Sequence, residues 1–148
     1  KLGFVEADAD TEVLAGQLLA MMGEHRADHT GTFRALSRSL RGAPLEGSSL
    51  TWSPAFVDWL RRWNEALQAT GRSAADAADS MDGVNPVYVP RNHLVDEALT
   101  AATGGDLEPF RSLLDAVSKP FVERPGLDRY AEPAPVDFAK GFRTFCGT

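Results

Sequence analysis

The stretch SPAFVDWLRRWNEALQATG, residues 53–71, decides the fold class. Phe56, Leu60, Trp63 and Leu67 recur at intervals of four, three and four, the period of one helix face. Ser53 stands where an N-cap belongs, Pro54 where a first-turn proline costs no hydrogen bond, and Gly71 where the chain leaves the helix. Trp52, Trp59 and Trp63 could be taken for a stacking surface, but Trp63 shares the apolar stripe with Phe56 and Leu60, so the expectation is a packed core.

The same pattern continues on both sides. Upstream, Val13, Leu14, Leu18, Leu19 and Met22 predict a helix capped by Asp10 or Thr11 and ended at Gly23. A second helix is predicted from Thr30, with Phe33, Leu36 and Leu40 on one face and Gly42 and Pro44 stopping it; residues 42–50 read as a loop. Downstream, Ser73 and Asp76 form a weak variant of the capping box and open a short Ala-rich helix ending near Asp82-Gly83. Asn85-Pro86-Val87-Tyr88-Val89-Pro90 cannot extend it, because each proline lacks a donor and biases its predecessor away from helix. From Arg91, the residues Leu94, Val95, Ala98, Leu99 and Ala102 predict another helix. Gly104-Gly105 ends it, and Asp106 caps an antiparallel partner carrying Leu107, Phe110, Leu113, Leu114 and Val117 up to Pro120.

The expected fold is therefore all-α: about six helices including a helical hairpin, in a domain over residues 1–120, followed by a Pro-rich, largely irregular, extended tail over 121–148. Residues 98–117 mimic the helix pair of an ankyrin repeat, but a repeat array needs about three stacked copies and only one is present. The stripe Phe56, Leu60, Trp63, Leu67 is expected to pack on the hairpin face Leu99, Phe110, Leu114.

Composition limits the function classes. Hydrophobic residues make up 43% of the 148, enough for a core and against disorder throughout. With 15 Lys and Arg against 21 Asp and Glu, the net charge is −6, and the longest basic run is Arg61-Arg62, so nucleic acid is a poor partner. A single cysteine, Cys146, rules out an internal disulfide framework, and no apolar run approaches the roughly 18 residues of a membrane span. The expectation is a soluble protein of the reducing cytoplasm, with no nucleic-acid or membrane partner.

Few residues point to chemistry. His25 and His29 stand four apart beside Glu24 and Asp28, which would suit two metal ligands if one helix covered both, but the expected reading is a polar interhelical loop. No Walker lysine loop, dinucleotide glycine loop, nucleophile elbow or kinase-type catalytic loop occurs. No catalytic, cofactor-binding or metal residue is therefore assigned.

The second half carries a resemblance. Met81-Asp82-Gly83-Val84-Asn85-Pro86-Val87-Tyr88-Val89-Pro90-Arg91-Asn92-His93, then Asp96-Glu97-Ala98-Leu99, Gly105-Asp106 and Phe110, resembles the C-terminal region of the selenoprotein O (SelO) family. The ending Phe142-Arg143-Thr144-Phe145-Cys146-Gly147-Thr148 is similar to the bacterial form of that family's terminus, with cysteine where some animal members carry selenocysteine. Lys1-Leu2-Gly3, Ala27-Asp28, Phe33-Arg34 and Trp59-Leu60-Arg61-Arg62-Trp63 fit the same family in the same order.

The resemblance implies a helical extension of a kinase-like C-lobe, cut from a pseudokinase-like enzyme that uses ATP and Mg2+ to transfer AMP to Ser, Thr or Tyr hydroxyls of protein substrates. The family's nucleotide-binding lysine, phosphate-contacting arginines and metal-binding Asp and Asn precede the matched region, so none is carried over. The missing upstream kinase-like domain is the expected partner, and the chain alone is expected to be inactive. An autonomous helical interaction domain is the alternative. Within the motif, Pro86 and Pro90 fix an extended path, Tyr88 can bury a ring, and Asn85 or Asn92 can satisfy backbone groups. Arg91 and His93 could instead face the nucleotide cleft or a protein substrate of the parent. Cys146 has two readings, a small buried hydrophobe or, by the resemblance, a redox-active thiol whose partner lies upstream.

Overall fold

The structure, a computed structural model, describes residues 1–45, 50 and 53–142. Among the described residues there are eight helices and no strand: α1 (Ala9–Glu24), α2 (His29–Leu40), α3 (Pro54–Ala69), α4 (Ala74–Asp82), α5 (Asn92–Thr103), α6 (Glu108–Ser118), α7 (Asp128–Ala131) and α8 (Phe138–Gly141). The fold is all-α, and the six longer helices are those the periodicity predicts. The two extra helices are single turns inside the Pro-rich tail, too short to leave a periodic signal.

The chain forms two compact units, Lys1–Val87 and Tyr88–Thr148. The first unit thus ends inside the stretch 1–120 that the sequence reads as one domain. The reason lies in the second unit, where the chain just past Pro120 is held by the start of the same unit: Tyr88 N–H donates to Pro120 O at 3.2 Å.

In the first unit, the N-cap of α1 is Asp8, two residues before Asp10, the nearer of the two predicted caps. Asp8 Oδ1 accepts from Thr11 N–H at 2.8 Å, and Thr11 Oγ1 accepts from Asp8 N–H at 2.8 Å, a reciprocal capping box. Helix α2 is capped by Asp28, whose Oδ2 accepts from Gly31 N–H at 2.6 Å. Helix α3 starts at Pro54 as predicted, though Ser53 makes no side-chain cap bond. At α4, Ser73 Oγ caps Asp76 N–H at 3.1 Å, but the Asp76 carboxylate accepts from the Ser73 hydroxyl at 2.6 Å instead of reaching back to the Ser73 N–H. The shorter Asp side chain makes half a box.

The stripe that α3 buries is Phe56, Trp59, Trp63 and Leu67, with Trp59 in the place predicted for Leu60. These side chains join Leu2, Leu14, Leu18, Met22, Phe33, Leu36, Leu50, Ala77 and Met81 in one core. The Trp59 and Trp63 rings lie 5.7 Å apart at 11°. Each indole N–H has a buried partner: Trp59 donates to Leu14 O at 2.8 Å and Trp63 to Leu2 O at 3.0 Å. Gly3 turns the N-terminal strand of chain into this core with φ +87°, and a Cβ there would lie 3.3 Å from both Ala77 Cβ and Leu67 Cδ2. Only glycine fits without strain.

In the second unit, α5 and α6 form the predicted hairpin across Gly104-Gly105, with Gly105 at φ +90°. Asp106 Oδ1 accepts from Glu108 N–H at 2.9 Å, but the N-cap of α6 is Leu107, one residue later than predicted, and it makes no side-chain cap bond. Leu94, Ala98 and Leu113 form the seam, with Val95, Val117 and Tyr130 packed against it. Leu99, Phe110 and Leu114 are 54%, 44% and 54% exposed. The α3 stripe, expected to pack on those residues, instead closes the core of its own unit, where α1 and the Lys1–Gly3 segment cover it.

Candidate functional site

The motif at residues 85–93 spans the join between the units, and each part has a structural partner. Asn85 is buried in the first unit. Its side-chain amide donates to Lys1 O at 2.8 Å, its Oδ1 accepts from Lys1 Nζ at 3.2 Å, and its N–H donates to Met81 O at 2.9 Å. No helical turn occurs between Pro86 and Pro90, each of which biases its predecessor, Asn85 or Val89, away from helix. Asn92 is an exposed first-turn residue of α5, so the role of satisfying buried backbone falls to Asn85.

In the second unit, Tyr88 is buried and its hydroxyl accepts from Arg124 N–H at 2.8 Å. The Arg124 guanidinium lies 5.7 Å from the Tyr88 ring centre and donates to Asp115 O at 2.6 Å, to Ala116 O at 3.1 Å and to Asp115 Oδ2 at 2.7 Å. It thereby satisfies carbonyls of the last turn of α6. Arg91 donates to Ala131 O at 2.8 Å. His93 is half-buried with its ring edge-on to Phe138, centroids 5.8 Å apart. Burial, then the nearby Arg91 and Arg129 cations, hold its imidazole below the usual histidine value, against an opposing pull from Glu97.

A second polar cluster, between α2 and α4, has no counterpart in the sequence reading. Arg34, only 6% exposed, reaches Asp82 Oδ1 at 2.8 Å; Arg41 reaches Asp82 Oδ2 at 2.9 Å; and Ser37 Oγ donates to Asp82 Oδ1 at 2.6 Å. Arg41 also pairs with Asp79. The available signal was the spacing: Arg34, Ser37 and Arg41 share one face of α2, and Asp79 and Asp82 share one face of α4.

The arginines of the cluster are engaged by carboxylates, and among the described residues no three His, Cys, Asp or Glu side chains gather as ligands. His25 caps the end of α1 while His29 begins α2, so the two do not share a helix. The arrangement braces α2 against α4. Among the described residues no helix is long and apolar enough to cross a membrane. Trp52 and Cys146 lie outside the described residues, and the redox reading of Cys146 has no support in the comparisons below.

No family model matches the chain. Curated proteins do. It is 49% identical over 150 residues to the protein nucleotidyltransferase YdiU of Rhodococcus jostii (strain RHA1), covering 100% of this chain and 29% of that protein. The YdiU of Mycolicibacterium paratuberculosis (strain ATCC BAA-968 / K-10) is 46% identical, with 100% and 30% covered, and that of Chromobacterium violaceum is 43% identical, with 100% and 31% covered. These YdiU proteins are SelO-family nucleotidyltransferases, and the chain is similar to them over its whole length. It spans about three tenths of the length of the SelO relatives it matches, and the matched region includes both the Asn85–His93 motif and the Arg34–Asp82 cluster.

Proposed function

We propose that these residues are the C-terminal helical part of a SelO-type protein adenylyltransferase, and that their own role is structural. The whole protein transfers AMP from ATP, with a divalent metal, to hydroxyls of protein substrates; the kinase-like part that does so lies upstream and is this region's partner. One observation carries the reading: full-length similarity to proteins named nucleotidyltransferases, of which the chain spans under a third. The motif side chains support the structural role, since Asn85, Tyr88 and Arg91 are all bonded to backbone within their own units. A cytoplasmic setting fits a chain with one cysteine.

The test compares the 148 residues with the longer protein. Calorimetry with Mg-ATP should show no micromolar binding to the 148 residues, because phosphoryl chemistry needs cationic clamps and a metal site that this donor set does not supply. The longer protein should bind ATP and label proteins with AMP. Micromolar ATP binding by the 148 residues alone would overturn the structural role, and a longer protein without AMP transfer would overturn the parent activity. The reading as an autonomous helical interaction domain would then take its place.

A further inference from the structure

The α5–α6 hairpin has more apolar surface than its own unit covers. Besides the seam at Leu94, Ala98 and Leu113, an open groove of about 180 Å³ runs along the pair, lined by residues including Val95, Leu99, Phe110, Leu114 and Val117. Every lining residue is aliphatic or aromatic and none bears a charge. None lies beyond Val117, so the described part of the tail does not line the groove, although Tyr130 packs on the seam and Arg91 ties down Ala131.

Chemistry limits what can fill it. A nucleotide, a phosphate or a metal ion would find no donor or counter-charge there. The volume is also below the roughly 300 Å³ at which small-molecule pockets begin. A few apolar side chains of a protein segment fit, and a helix pair with one open apolar side is completed by a further layer of structure. The relatives indicate where that layer comes from. The chain is matched over 91–100% of its length yet spans only 25–31% of theirs, so most of each relative's polypeptide lies outside the matched region and is tethered to it. A tethered segment is present at an effective concentration of the order of millimolar, well above that of a second copy in dilute solution.

We infer that the α5–α6 groove is the seat of an apolar-faced segment of the same polypeptide, outside residues 1–148. The inference rests on the reading that the chain is part of a longer SelO-type protein. The occupant covers Leu99, Phe110 and Leu114 together.

The test uses the whole protein. Leu99→Cys and, separately, Leu114→Cys are made in a Cys146→Ser background, with Thr103→Cys on the exposed end of α5 as reference, and thiol labelling is followed peptide by peptide. Labelling at positions 99 and 114 should be at least tenfold slower than at 103, and equal after denaturation. Carbene footprinting of the unsubstituted protein gives the same readout at Phe110 if a variant fails to fold. Labelling at 99 and 114 as fast as at 103 overturns the inference, and so does protection that disappears on dilution, which would identify a second copy as the occupant. AMP transfer by the same preparation is scored separately. A protected groove in an inactive protein leaves the inference standing while the parent activity fails; an open groove in an active protein does the reverse.

Discussion

Trp59 donates its indole N–H to the carbonyl of Leu14 at 2.8 Å, fastening the middle of α3 to the middle of α1 inside the core. Both the ring and its hydrogen bond are completely buried. Trp59→Ala should cost about 3 to 5 kcal/mol through lost burial and the cavity left behind. Trp59→Phe keeps a ring in place and should cost less, about 1 kcal/mol for the hydrogen bond plus the lost volume. Urea unfolding of the two variants checks the order; equal losses would show that the hydrogen bond, not the ring, carries the contact.

Asp82 is the shared acceptor for Arg34 and Arg41, and only Arg34 is buried. Asp82→Ala should destabilise by about 3 to 5 kcal/mol, because it strips a buried cation of its carboxylate. Asp79→Ala removes only an exposed partner of Arg41 and should cost less than about 1 kcal/mol. The difference in denaturation midpoint between the two variants is the measurement.

His93 gives a pH dependence with a definite sign. Its folded value is depressed, chiefly by burial, so the unfolded chain binds the proton more readily than the folded one. Stability from this group is full above the ordinary histidine value of 6.5 and falls as pH drops from there toward the lowered folded value. His93→Phe, a ring with no proton to bind, should flatten that part of the profile. Thermal midpoints measured between pH 5 and 7.5 for both proteins test it, and parallel profiles would remove His93 from the account.

Arg124 holds the last turn of α6 by its carbonyls while lying over the Tyr88 ring. Arg124→Ala should speed amide exchange in the last turn of α6 and at residues 120–124, with α1 to α4 unchanged. Tyr88→Phe, which removes the acceptor for Arg124 N–H and the 3.4 Å donor to Arg124 O but leaves the guanidinium bonds, should produce a smaller effect in the same place.

What the sequence made legible follows the range of the interactions. Helix α3 could be read almost to the residue, since its proline, its glycine and its apolar spacing are all local. Even so, Trp59 and Leu60 are neighbours on adjacent arcs, and the choice between them depended on α1 lying across Trp59. The α1 cap was missed because Asp8 and Thr11 make a box from residue types other than the usual Ser or Thr with Glu or Gln. The Arg34–Asp82 pair joins residues 48 apart in sequence, so local spacing could mark the two charged faces but not their pairing. Leu99, Phe110 and Leu114 read as core because apolar spacing marks a face without saying what covers it. In the 85–93 motif the sequence suggested which residues mattered, but only the partners, Lys1 O for Asn85 and Ala131 O for Arg91, show what they do.

The bonds between Asn85 and Lys1 have a topological consequence. They hold Lys1 beside a residue two places before the end of the first unit, so the two ends of the segment 1–85 lie side by side. A unit built this way is a closed circuit in which the order of α1 to α4 is incidental to the packing. Joining its ends by a short linker and opening the exposed turn at Gly71 instead would give a circular permutant with the same core.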